Sequence, residues 1–160
     1  MRRLDLTQIA LLAAFITISG AIKIPSIIPG AEFQLSAPLA VAICYAFGFK
    51  VYLIAGVLSS IVGLIMGTHT LFNVAIAMLF RLSVALTMFA VGRNKLSLIV
   101  AGPIASTLAR LSIALFLDKL AYALVVAAIP GMIYTALLSV PLSMVLERIK
   151  REFWRQENVI

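Results

Sequence analysis

The sequence predicts an all-α integral membrane protein of six transmembrane helices, both termini cytoplasmic, forming one membrane domain over residues 1–160. Three observations carry that expectation. Hydrophobic residues make up 63% of the chain and charged residues 12%, more apolar surface than a soluble domain of this size needs. Apolar runs near 20 residues, enough to cross a hydrocarbon core of ~30 Å, recur along the whole length. The basic residues fall between those runs, and unevenly.

The runs place the spans at about 5–22, 35–49, 51–67, 71–91, 97–117 and 120–146. The first follows Met1-Arg2-Arg3, a start that imitates a signal peptide. The run continues without a convincing cleavage site, however, and the chain after it is equally apolar. The second and third are together too long for one crossing, and Gly48-Phe49-Lys50 supplies the turn of a hairpin of two short helices. Pro38 falls in the first turn of the second span, where a missing N–H does no harm. The fourth lies between the polar turn Gly67-Thr68-His69-Thr70 and the basic turn Gly92-Arg93-Asn94-Lys95. Pro103, Pro130 and Pro141 lie inside the last two spans, each freeing a backbone carbonyl, so kinks are expected at Gly102-Pro103 and Pro130-Gly131.

Over 142–156 the chain becomes a basic amphipathic tail. Leu142, Val145, Leu146, Ile149 and Phe153 share one helical face, with Arg148, Lys150, Arg151 and Arg155 elsewhere and Trp154 suited to the headgroup level. Such a helix reads as an anchor on the anionic inner leaflet of the lipid bilayer, or as a docking surface for a cytoplasmic partner.

With the N-terminus inside, Arg2, Arg3, Lys50, Arg93, Lys95, Arg148, Lys150, Arg151 and Arg155 are inner and only Lys23 and Lys119 outer. That bias sets the orientation in a cell membrane. The outer loop 23–34 holds two prolines and a glycine, which prevent a regular helix, and is too apolar for an ordinary solvated loop. Such a loop packs back over something.

Composition also excludes functions. The net charge of +7 is not gathered on one exposed face, so no nucleic-acid partner is indicated. Cys44 is the lone cysteine and lies in a span, ruling out a disulfide within the chain. The acids Asp5, Glu32, Asp118, Glu147, Glu152 and Glu157 sit at span ends or beyond, and His69 is the single histidine. No catalytic carboxylate pair, metal cluster or phosphate loop can be assembled from these, so no enzyme, metal or cofactor is expected. No intramembrane acid or histidine is present to couple a proton gradient. A binding protein energised by others remains.

Arg81 is the most informative residue. It interrupts the run 71–91 with a charge that costs roughly 2.5–3.5 kcal/mol at a span centre. No apolar run holds an acid to pair with it, so an anionic ligand is the natural counter-charge; the alternative is a structural Arg bonded to carbonyls freed at kinks. Asn73 shares its face two turns earlier, and Arg110 lies about two turns inside the outer end of span five. Glu32, Gln34, His69 and Thr70 border the outer side, and Tyr134 is mid-span in the sixth. Each has an ordinary role as well: Arg110 can snorkel, Asn73 can join helices, Glu32 can pair with Lys23, and Tyr134 can pack in the core. In the first span Ala10-x-x-x-Ala14 forms a flat strip for close helix approach.

Small size, six spans, both ends inside, a long capping loop after span one and Ala10-x-x-x-Ala14 together resemble the S component, the substrate-binding subunit, of an energy-coupling factor (ECF) vitamin transporter. The resemblance covers nearly the entire chain. It implies that Ala10 and Ala14 dock a transmembrane T component, that two cytoplasmic ATPase subunits complete the machine, and that the 23–34 and 67–70 loops cover a pocket between spans four, five and six. The patterns of the biotin, thiamine, riboflavin and nickel/cobalt members are absent. The segment Gly67-Thr-His-Thr-Leu-Phe-Asn73 is distantly similar to tryptophan-transport members, without their Pro before the Asn. Tryptophan or a carboxylate vitamin such as niacin or pantothenate suits Arg81 and Arg110. A small protein-interaction or assembly factor, and a secondary carrier working alone, are the competing classes.

Overall fold

The computed structural model describes residues 3–25, 32–117 and 120–157, with side chains over 6–22, 35–112 and 125–152. Within them lie six helices: α1 (Arg3–Ala21), α2 (Ser36–Phe47), α3 (Phe49–Ile65), α4 (Leu71–Val91), α5 (Lys95–Leu117) and α6 (Leu120–Glu157). Between α1 and α2, β1 (Lys23–Pro25) and β2 (Glu32–Gln34) pair antiparallel. This small ladder was not expected. It sets Lys23 opposite Gln34 and Glu32 opposite Pro25, so Glu32 is not the direct cross-strand neighbour of Lys23. The tip of the expected lid, 26–31, and the turn at Asp118-Lys119 lie outside the described residues.

The helices fall within a few residues of the apolar runs, with one larger difference. α6 continues as one helix through Pro130 and Pro141 and joins the sixth run to the basic tail. α5 likewise continues through Pro103. Side-chain oxygens bond backbone carbonyls around these positions: Thr107 Oγ1 donates to the Pro103 carbonyl (2.9 Å) and Thr135 Oγ1 to that of Gly131 (2.8 Å).

α2 is the core. Its sequence, Ser-Ala-Pro-Leu-Ala-Val-Ala-Ile-Cys-Tyr-Ala-Phe, is apolar all round, the pattern of a helix with no solvent face. Pro38 through Cys44 and Ala46 are buried, and α2 touches each of the other five helices. Its 12 residues reach only about 18 Å, short of a ~30 Å hydrocarbon core. Around it α5 packs against α4 and α6, and α1 against α3.

Gly48 ends α2 with φ 87°, a left-handed conformation that a side chain would strain, and its N–H bonds the Cys44 carbonyl (3.0 Å). Two cations from distant segments satisfy the next carbonyls. Arg93 donates to the Tyr45 carbonyl and stacks on the Tyr45 ring at 5.5 Å. Lys150 Nζ donates to the Ala46 carbonyl (2.7 Å) and sits 5.6 Å from the Phe47 ring centre. Positive charge is favourable at this end of a helix. α5 opens on a reciprocal cap: Asn94 Oδ1 accepts from the Ser97 N–H (2.8 Å), and Ser97 Oγ accepts from the Asn94 N–H (3.2 Å).

The outer surface is apolar, with Phe89 90%, Ile65 80% and Leu71 78% exposed. Apolar surface of this kind marks a face covered by a membrane or by another protein. Leu71–Val91 and Val125–Glu152 are long and apolar enough to cross a membrane; Leu6–Ala21, Ser36–Phe47 and Phe49–Ile65 are shorter apolar helices.

Candidate functional site

Arg81 stands at the midpoint of α4 and is 7% exposed. Its head group is turned onto α3. One terminal nitrogen donates to Ser60 Oγ (2.9 Å) and to the Met78 sulfur (3.6 Å), a weak acceptor. Among the described residues no carboxylate bonds it. Gly56 makes the approach possible: a Cβ there would lie 2.3 Å from Arg81 Nε. One turn before Gly56, Tyr52 is fully buried and near enough to interact electrostatically with the guanidinium, yet among the described residues its hydroxyl has no aligned hydrogen-bond partner.

Tyr52, Gly56 and Ser60 thus form one stripe of α3, spaced by four residues, facing the cation. None of the three was singled out from the sequence. The signal that could have found them is that spacing: a hydroxyl, a gap and a hydroxyl in an otherwise apolar run.

The other candidates are dispersed. Arg110 is half-buried and bonds Ser106 one turn earlier on α5. No polar contact joins it to Arg81 among the described residues. Asn73 is exposed, and Thr70 caps α4 by accepting from the Asn73 N–H (3.2 Å). His69 is half-buried over Gly63, where an added Cβ would meet its ring at 2.5 Å; its backbone N–H bonds the Gly63 carbonyl (3.1 Å) and its Nδ1 is buried without a partner among the described residues. Tyr134 is half-buried on α6. Glu32 and Gln34 are placed in β2 by backbone alone. The pocket expected between spans four, five and six does not take in the head group of Arg81, which lies on α3. The Arg81 bonds also run to side chains, not to carbonyls freed at a proline. Among the described residues, no three His, Cys, Asp or Glu side chains gather as metal ligands.

A second feature is an apolar groove on the outside of α1 and α3. Ala10, Ala13, Ala14 and Thr17 form one wall, Leu58 and Val62 the other. Ala13 is buried against α3, whereas Ala10 and Ala14 are exposed. The Thr17 hydroxyl donates to Ser59 Oγ across the two helices (2.9 Å). A groove floored by methyl groups admits another helix closely.

No family model matches this chain, and no solved structure matches it. It is similar to Protein BioX of Lysinibacillus sphaericus, 46% identical over 148 residues that cover 92% of this chain and 89% of that protein.

Proposed function

This chain belongs to the BioX family, and we propose that it is the membrane-embedded substrate-binding subunit of an ECF-type vitamin importer. In this proposal it crosses the cell membrane six times with both termini in the cytoplasm, takes up a small molecule bearing an anionic group, and is energised by a T component and two ATPase subunits. The observation that carries it is Arg81: a cation 7% exposed at the middle of an apolar helix, bonded among the described residues to a hydroxyl and a thioether and to no carboxylate. A charge so placed has its cost offset when an anion binds beside it. The exposed Ala10 and Ala14 in a groove support docking of a partner helix. Biotin, tryptophan, niacin and pantothenate all present the required anionic end; the relative's name, BioX, favours a biotin-related vitamin and lends no support to the other three.

The direct test purifies the protein in detergent, denatures it and identifies released small molecules by mass spectrometry, with Arg81→Ala alongside. We expect a carboxylate-bearing vitamin or amino acid in the wild type, and at least tenfold less in the variant. An empty wild type that also fails to respond to a ligand panel in a thermal-shift assay would overturn the importer assignment in favour of a protein-interaction role.

A further inference from the structure

Building on the importer assignment above, we propose that Tyr52 and Arg81 form a carboxylate anchor between α3 and α4, in which the acid end of the bound molecule accepts from the Tyr52 hydroxyl and from the guanidinium donors that Ser60 leaves unused.

The two groups lack the same thing. A guanidinium carries five N–H donors and no acceptor. Arg81 bonds through one terminal nitrogen, and one of its two acceptors is a thioether. The Tyr52 hydroxyl, at 0% exposure, lies against the Arg81 guanidinium without an aligned bond, and among the described residues nothing accepts its proton. If Tyr52 served only to fill space, phenylalanine would do so without burying an orphan hydroxyl. The two residues are thus adjacent donors, and among the described residues no oxygen accepts from both. A neutral amide oxygen would satisfy one donor and leave the guanidinium charge unbalanced. A carboxylate supplies two acceptor oxygens and one negative charge, one oxygen for the guanidinium and one for the phenol. Gly56, between Tyr52 and Ser60 on the same stripe, keeps the guanidinium against α3 within reach of both. The Met78 sulfur is the acceptor most readily given up when a stronger one arrives.

Purified wild type, Tyr52→Phe and Arg81→Lys test the assignment. Each is titrated with nicotinate, pantothenate, biotin, tryptophan and whatever the denatured wild type releases, every acid beside its neutral amide or alcohol counterpart. Wild type should prefer one acid over its neutral counterpart by at least tenfold. Tyr52→Phe keeps the ring and its volume, and should weaken the acid about tenfold while leaving the neutral analogue unchanged, as for loss of one hydrogen bond to a charged group. Arg81→Lys keeps the charge but loses the planar fork, and should also reduce the preference. A purely structural role would weaken acid and neutral analogue together. An acid preference intact in both variants, or absent from wild type that binds both forms, overturns the anchor and leaves the importer standing. A wild type that binds nothing and releases nothing overturns both.

Discussion

Burying a guanidinium at the centre of a span costs roughly 2.5–3.5 kcal/mol on insertion scales, and one hydrogen bond to a hydroxyl returns only about 1.5–3 kcal/mol of that. Arg81 is held in place by geometry as much as by energy, and Gly56 supplies the geometry. A methyl group at 56 would lie 2.3 Å from Nε and 2.8 Å from Cδ, and both belong to a flexible side chain that can move. Gly56→Ala should therefore leave the fold intact, with a melting temperature within a few degrees of wild type, while pushing Arg81 off Ser60 and weakening ligand binding about tenfold. Binding unchanged in a titration would show that the position of the guanidinium does not matter. Arg81 was legible in the sequence because one charge in an apolar run has few explanations. Tyr52 and Ser60 were not, because a tyrosine or a serine in such a run is unremarkable until α4 is known to lie against that stripe. His69 and Thr70 were legible as a polar turn but their contacts were not, since the contact of the His69 ring with Gly63 depends on how α3 ends.

Helix ends were readable where local chemistry sets them. Gly48 and Gly92 take φ of 87° and 83° and close α2 and α4, and Asn94 with Ser97 opens α5. The prolines were less readable. Pro141 does not separate the sixth run from the basic tail, because α6 packs along α2 and α5 and that packing outweighs one missing hydrogen bond. The capping of α2 by Arg93 and Lys150 was also hidden, since it joins residues 48 and 104 positions apart, and the sequence pattern reads both cations only as inner-loop charge. Gly102, read as part of a kink, has a packing role in the structure. A Cβ there would sit 2.3 Å from the Thr135 methyl of α6, a β-branched side chain with little freedom to turn away, with Val41 of α2 at 3.7 Å. Gly102→Ala should separate α5 from α6 and destabilise the protein by about 1–3 kcal/mol, read as a lower melting temperature in detergent. An unchanged melting temperature would mean that the α5–α6 interface tolerates a methyl group and is looser than this contact implies.

At the scale of the whole molecule, the parts divide by surface. A short apolar helix, α2, fills the centre, the polar stripe of α3 meets Arg81 inside the bundle, and the exterior exposes Phe89, Ile65 and Leu71. The α1–α3 groove interrupts that exterior with small residues, Ala10 and Ala14 being exposed there. The sequence holds no nucleotide-binding motif, so under the proposed function any energy for uptake enters through a partner, and the groove is where a partner helix fits most closely. Ala14→Trp fills that groove from an exposed position that is not among the side chains bonded to Arg81. It should abolish co-purification of a co-expressed T component and ATP-dependent uptake in cells, yet leave ligand affinity within about twofold of wild type, because sites without shared contacts behave independently. Loss of ligand binding would mean that the groove and the Arg81 site are coupled through α3, which lines both. Uptake that persists in cells lacking the ATPase subunits would instead show a carrier working alone, and the groove would then need a different occupant.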